Sequence, residues 1–351
     1  MSIRKVLLLL FAFCAVSFSV MAQKDNSVSF KVNTAAGNSQ EGGFFNHLDV
    51  AVTAGTTGLG FDVATPLGEY ARLRTGLSYM PQFEFSSNFR VQVGDSLDKK
   101  YDAQGHKLET KFDKLSGYLK DFVGYEVDDE VKMLCTASYF NFKLLVDVFP
   151  FPNKNWHVTA GFFAGPSEIA KAVNATEEMP SLLSVSMWNT IYDKVWNYEP
   201  IFGGIYLPPE IEDKVIKYGK MGFHAGNYVD DVKDDAGNIV HKKGDKYMMV
   251  PDTKEGTVKA SIKTNRFKPY VGFGYGGAIS KDKLTRLSFD AGVMFWGGSP
   301  SVITHDGTDL VRDVEDVRGK LGRYVDTAKF FKVFPMLEIR LSQIPNVSSR
   351  M

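Results

Sequence analysis

Residues 267–296 read FKPYVGFGYGGAISKDKLTRLSFDAGVMFW. In the first part, Val271, Phe273 and Tyr275 alternate with Tyr270, Gly272, Gly274 and Gly276. In the last part, Phe289, Ala291, Val293 and Phe295 alternate with Ser288, Asp290, Gly292 and Met294. A period of two sends successive side chains to opposite faces of an extended strand. Each segment therefore has one large apolar face and one small or polar face. A short turn-like link, Gly277 to Arg286, joins them, so the stretch reads as a hairpin. Its strands are close to the ~9–11 residues that a tilted strand needs to cross a membrane.

The same alternation marks His47 to Gly55, Leu59 to Thr65, Tyr70 to Met80, Leu134 to Phe149, Trp156 to Ala164 and Lys332 to Leu341. With Phe267 to Gly276 and Leu287 to Trp296 that makes eight, an even number. Links at one end are short: Thr65 to Glu69, Pro150 to Asn155 and Gly277 to Arg286. At the other end Pro81 to Met133, Gly165 to Arg266 and Gly297 to Phe331 are long, and only Gly55 to Gly58 is short. A soluble sandwich has no reason to sort loop lengths by end. Outer-membrane barrels do, with short turns in the periplasm and long loops outside. The fold class expected is an all-β membrane barrel of eight antiparallel, up-and-down strands with long, partly helical extracellular insertions.

The polar face holds Asp49, Asp62, Asp147, Asp290 and Glu338 beside Arg72, Arg74, Lys143 and Arg340. An eight-stranded interior is just wide enough for its own side chains. Charges of both signs there are expected to pair as a structural network that plugs the lumen. On the apolar face, Tyr79, Trp156, Tyr275 and Phe295 stand near strand ends, where interfacial aromatic girdles lie. Pro335 is the awkward residue, because a closed barrel has no edge to hide a missing donor. It calls for a bulge, or for a membrane-spanning part that begins after it.

The chain has 351 residues, with 41 basic and 41 acidic side chains and a formal net charge of zero. That balance argues against a nucleic-acid partner, which needs a positive field. Arg4 and Lys5, the apolar run Val6 to Val20 and the site Val20-Met21-Ala22 read as a signal peptide cleaved after Ala22. No later segment approaches the roughly 18 apolar residues of a membrane helix. Cys14 falls within the signal, leaving Cys135 without an internal partner. The resulting division is a signal at 1–22, a periplasmic segment at 23–46, a barrel at 47–341 and a tail at 342–351. The extracellular insertions fall at 81–133, 165–266 and 297–331.

The runs His47 to Tyr79, Pro269 to Trp296 and Phe331 to Leu341 resemble small eight-stranded OmpA-like outer-membrane β-barrels of Gram-negative bacteria. The resemblance covers the strands only. Barrels of that class include anchors, adhesins and a few lipid-modifying enzymes, so it implies a place and a fold, and no single function.

The long loops outweigh the strands. Alternation from Phe83 to Val93 extends the barrel wall above the membrane. Helices are expected at Glu109 to Val123, from Pro166-Ser167-Glu168 through Val195, from Pro208-Pro209-Glu210 to Tyr218, and between Thr308 and Tyr324. Asp234 to Asn238 is a hairpin turn. Loops of this length with periodic apolar residues point to a folded cap.

Chemical motifs fare poorly. Gly272-x-Gly274-x-x-Gly277 matches a dinucleotide fingerprint but leads into a strand, where a helix is required. Asp230, Asp231, Asp234 and Asp235 lack calcium-loop spacing, and His305-Asp306 is a lone pair in a loop. No cofactor or metal is expected. As bases for Ser78 or Ser288, His47 and His157 fall at the wrong end or on non-neighbouring strands. The function expected is a non-enzymatic barrel with a plugged lumen and a folded extracellular cap, in contact with outer-membrane lipid and an unidentified extracellular ligand or protein. A small-solute channel, a lipid-modifying barrel enzyme and a soluble exported sandwich are the rivals.

Overall fold

The computed structural model describes residues 48–94, 99–124, 127–281 and 283–343. The expected signal peptide and periplasmic segment, His47 and the tail from residue 344 onward lie outside them. The strands are β1 (Asp49–Gly55), β2 (Gly58–Pro66), β3 (Ala71–Arg90), β4 (Gln92–Val93), β5 (Glu130–Val148), β6 (Trp156–Ala164), β7 (Glu168–Asn174), β8 (Met221–Tyr228), β9 (Val232–Lys233), β10 (Ile239–His241), β11 (Lys246–Met249), β12 (Lys259–Lys263), β13 (Phe267–Ala278), β14 (Thr285–Met294), β15 (Ser301–Thr304), β16 (Val314–Glu315) and β17 (Phe334–Gln343). The helices are α1 (Lys111–Val123), α2 (Met179–Trp196), α3 (Pro209–Tyr218) and α4 (Gly319–Phe330).

Alternation becomes curvature and closure in eight of these strands. β1, β2, β3, β5, β6, β13, β14 and β17 pair antiparallel in that order, and β17 returns to β1. They are the eight segments marked by period two, and the barrel is up-and-down as expected. Each strand turns an apolar residue outward. Val52, Phe61, Leu77, Phe142, Val158, Phe273, Phe289 and Leu337, one per strand, are all exposed. On the opposite face of the same strands Thr53, Asp62, Arg74, Lys143, His157, Tyr270, Asp290 and Glu338 are all buried inside. Apolar outside and ionised inside is the reverse of a soluble protein.

Pro335 needs no bulge. Its carbonyl accepts from Thr56 Oγ1 at 3.4 Å, so its nitrogen faces the same side, toward the β1–β2 turn. There β1 has already ended, since its last rung with β17 is Gly55 against Glu338. The missing donor falls where no strand needs it.

Three strands stop at this level, while the rest of the wall rises. β3 pairs with β5 up to Arg90 against Glu130. β6 continues into β7, β12 into β13 and β14 into β15, and the ladder runs on through Gly165 N to Arg266 O and Asn265 N to Trp296 O. Above Gly55, Gly58 and Phe334 the wall is missing, and α4 crosses the gap. At one end Lys320 Nζ donates to the Asn88 carbonyl. At the other, the Lys329 and Phe331 carbonyls accept from Ser299 Oγ and Trp296 Nε1.

A bulge between Met80 and Phe83 adds a residue to β3 alone. One extra residue exchanges the two faces of a strand. Below it Arg72, Arg74 and Ser78 face inward; above it Ser87 and Phe89 do, toward Tyr324 of α4. The concave face of the upper wall is the base of the cap core. Val131, Met133 and Val302 pack there with Leu115 and Leu119 of α1, Leu182 and Val185 of α2, Met221 and Phe223 of β8, and Val325 of α4. α1 starts with a reciprocal cap: Thr110 Oγ1 accepts from Asp113 N, and the Asp113 carboxylate accepts from Thr110 N. It stops at Gly124, whose φ of 74° suits glycine.

Two loop expectations are corrected. Pro166-Ser167-Glu168 opens no helix; Glu168–Asn174 is β7, and the helix begins at Met179. The upper half of β5 rises past the end of β6 and would have a bare edge; β7 pairs with it there. The helix placed between Thr308 and Tyr324 starts only at Gly319. Asp309 accepts from Val302 N and Val311 N, its carbonyl accepts from Asp313 N to close a turn, and Val314–Glu315 pairs with β8, so a turn and a strand take up that segment. The helices at Lys111–Val123 and Pro209–Tyr218 and the Asp234 turn are where the sequence puts them.

Leu182 is fully buried in the cap core. Leu182→Ala is expected to cost the cap about 2–5 kcal/mol. Hydrogen exchange should quicken in α1, α2 and β8 and stay unchanged in the barrel strands; uniform quickening would mean that cap and barrel unfold as one unit.

Candidate functional site: the charged lumen

Inward-facing positions of β1, β2, β3, β5, β14 and β17 bring all nine residues singled out from the sequence together. Arg74 is the hub. Its guanidinium lies 3.1 Å from Asp147, 3.3 Å from Glu338, 3.5 Å from Asp62 and 3.8 Å from Asp290. Lys143 Nζ is 2.8 Å from both Asp62 and Glu338. Arg340 reaches Asp147 and Asp290 at 3.5 and 3.6 Å. Arg72 joins Asp147 at 2.8 Å and Asp49 at 3.8 Å, toward the short-turn end. The central side chains are at most 6% exposed.

His157 is the member that the sequence left among catalytic candidates. Its Nε2 is 2.6 Å from Asp290 Oδ1. His157, Gly274, Asp290 and Glu338 occupy successive strands on one rung. A Cβ on Gly274 would fall 2.4 Å from His157 Nε2 and 2.7 Å from Asp290 Oδ1. The glycine run that matches a nucleotide fingerprint is thus the space in which this pair meets. Asp147 accepts a further bond from Thr159 Oγ1 at 2.8 Å, which charge pattern alone does not reveal. Ser288 is buried on the inward face of β14, two strands from His157. His47 lies outside the described residues.

The chemistry of this arrangement is neutralisation. Asp49, Asp62, Asp147, Asp290 and Glu338 face Arg72, Arg74, Lys143 and Arg340, with His157 against Asp290. Ionised groups out of water are tolerated when paired and hydrogen-bonded. Toward the cap, the network is followed by an apolar layer of Leu145, Phe163, Tyr270, Met294 and Met336, all buried.

The other acidic candidates have local tasks. Asp234 Oδ1 accepts from Ala236 N and Asn238 N, closing the turn. Asp306 accepts from Thr304 Oγ1, Thr308 N and Tyr247 Oη. Burial, then the Asp306 carboxylate, holds the Tyr247 phenol above its ordinary range. Burial, then Asp306 and Asp245, pushes Tyr228 up to about 12. Both tyrosines are neutral at physiological pH. Among the described residues no group of three or more His, Cys, Asp or Glu is placed to hold a metal, and no helix is long and apolar enough to cross a membrane, which says nothing about strands.

Replacing Arg74 with Met leaves Asp62, Asp147, Asp290 and Glu338 sharing fewer cations. Removing one partner of a buried ion pair costs about 3–5 kcal/mol. The urea midpoint of the folded barrel should fall accordingly; an unchanged midpoint would show that the hub is dispensable. Gly274→Val is expected to break the His157–Asp290 contact and to lower the same midpoint.

No protein family and no curated protein matches the chain. Solved structures do. The crystal structure of Acinetobacter baumannii CarO2 aligns at 13% identity and TM-score 0.36 over 85% of this chain and 98% of that one. Acinetobacter baumannii CarO aligns at 10% and 0.38 over 87% and 100%. A major outer membrane protein from Thermus thermophilus aligns at 11% and 0.24 over 85% and 98%.

Proposed function

We propose that the chain is an outer-membrane β-barrel whose lumen is closed by its own charges and which presents a folded extracellular cap for binding. The observation behind this reading is the reversed polarity of the barrel: eight apolar residues outward, one per strand, around a buried ion network. A solvent-facing wall of that composition is unfavourable in water and favourable in lipid. Loop lengths give the orientation. The turns at residues 67–70, 149–155 and 279–284 face the periplasm, and the cap faces outward. The cap has its own apolar core, as a binding module does and a flexible loop does not. The role is read as non-enzymatic because His157 is engaged by Asp290 deep in the lumen, away from any membrane-surface nucleophile.

Fractionation and surface proteolysis test this. The mature chain should sediment with outer membranes, and protease added to intact cells should cut only within residues 91–129, 165–266 or 295–333. Cleavage at the short turns in intact cells would invert the topology. A chain that stays in the soluble fraction without detergent would be an exported sandwich.

A further inference from the structure

Among the described residues, Lys154, Tyr198, Lys283 and Asp316 stand on a left-handed backbone although they are not glycine, with φ of 52°, 56°, 58° and 54°. Two of them are lysines, a residue type that is not favoured there. Both lie at the short-turn end of the barrel. Lys154 is in the link from β5 to β6, and Lys283 is in the link from β13 to β14. These links are neighbours, because β6 pairs with β13. They are also tied together. Gly276 N donates to the Asn155 carbonyl at 2.8 Å, and Arg286 Nη2 donates to the Lys154 carbonyl at 3.3 Å. Each link thus holds a lysine at a backbone position that costs conformational energy for any side chain.

Positive charge is gathered at these two links. Residues 149–155 and 279–286 carry Lys154, Lys281, Lys283 and Arg286 against one acid, Asp282, whereas residues 67–70 carry only Glu69. Lys281 and Lys283 are exposed. Directly beside them the outer wall is aromatic. Trp156 and Tyr275 share a rung, are exposed on the lipid-facing side and lie 4.9 Å apart between ring centroids. Phe151 and Ile279 are exposed as well. Phe151, Pro152, Asn153 and Trp156 line a shallow, open hollow. Lys154 Nζ stands 5.8 Å from the centroid of the Tyr70 ring. Aromatic rings at the level of lipid head groups, with cations just beyond them, form a surface complementary to a negatively charged lipid.

We propose that the rim formed by the β5–β6 and β13–β14 links binds an anionic phospholipid, with its phosphate at Lys154 and Lys283 and its acyl chains against Phe151, Trp156 and Tyr275. The surface is continuous with the lipid-facing wall, so a lipid of the adjoining leaflet reaches it without leaving the membrane. The assignment rests on the membrane-barrel reading. It accounts for the two strained lysines: each supplies a charge that glycine or asparagine, the ordinary occupants of a left-handed position, lacks.

The test is native mass spectrometry of the full mature chain in a nonionic detergent, offered equal amounts of phosphatidylglycerol and phosphatidylcholine with the same acyl chains. The native chain should retain phosphatidylglycerol in preference. Lys154→Gly and Lys283→Gly should each lower that preference about fivefold, the ratio that the attraction of one lysine to an anionic lipid surface gives. In both variants the urea midpoint of the barrel should hold or rise, because glycine adopts these φ values without strain. A fall in midpoint with the preference unchanged would make the lysines structural and overturn the site. Trp156→Ala should reduce retention of both lipids and leave their ratio alone; Phe151→Ala serves the same purpose if that variant fails to fold. Lys214→Gln/Lys217→Gln removes two exposed charges from α3 in the cap and should change neither quantity. Equal retention of the two lipids by the native chain overturns the site. So does a loss of preference in the α3 variant as large as in the glycine variants, which would mean general charge attraction. A gel run with and without boiling accompanies every sample, and a chain with no shift overturns the barrel reading itself.

Discussion

Nine charged side chains and a histidine share a space that water barely enters, and Arg74 sits at their centre. Every other feature of the barrel is arranged around keeping them paired. Its four carboxylate neighbours come from β2, β5, β14 and β17, so the contact set exists only when the sheet has closed. β13 gives no charge to the network; it gives Gly274, the absence of a side chain that lets His157 and Asp290 meet. Five carboxylates face four permanent cations, and His157 adds its Nε2 contact to Asp290. A buried network of this kind adds less to net stability than its contacts imply, because desolvation offsets much of the attraction. It specifies register strongly: a one-residue slip of any strand would send its charge into lipid.

The second organising constraint is the change of solvent along the wall. Through the barrel the outside is apolar and the inside ionised. Above Met80 the bulge in β3 exchanges the faces of that strand, and the neighbouring strands turn Thr136, Lys171 and Ser261 outward instead. The inner surface then becomes apolar enough to serve as a base for the cap. One inserted residue lets a single strand serve both environments. Three strands are not extended, and α4 spans the gap above them, held by the Lys320 side chain on the Asn88 carbonyl at one end and by the Lys329 and Phe331 carbonyls at the other. A helix satisfies its own backbone, so it needs no edge partner where the sheet has stopped.

Period-two alternation is enough to place all eight barrel strands, because each has a clean change of solvent across its two faces. The nine charged lumen residues are legible for the same reason: polar residues of both signs on the inner parity of several strands have nowhere else to go. Lys268 is equally legible by parity, two residues before Tyr270, but it has no charged partner to reveal it. The bond between His157 and Asp290 is hidden by sequence distance and by the glycine between them. The errors fall in the cap. Glu168–Asn174 has helix-compatible composition and becomes a strand because an unpaired edge of β5 waits for it. The segment before α4 is held in a turn by Asp309 and in a short strand by β8. In both places long-range pairing overrides local preference, and nothing in the local sequence reports the partner.

Closure of the lumen by this network is the claim on which the functional reading turns. The most direct measurement is single-channel recording of the purified chain in planar bilayers. A network that fills the interior predicts no steady conductance. Reproducible, ion-selective steps from the native protein would contradict it and would make the charged lumen a conducting path.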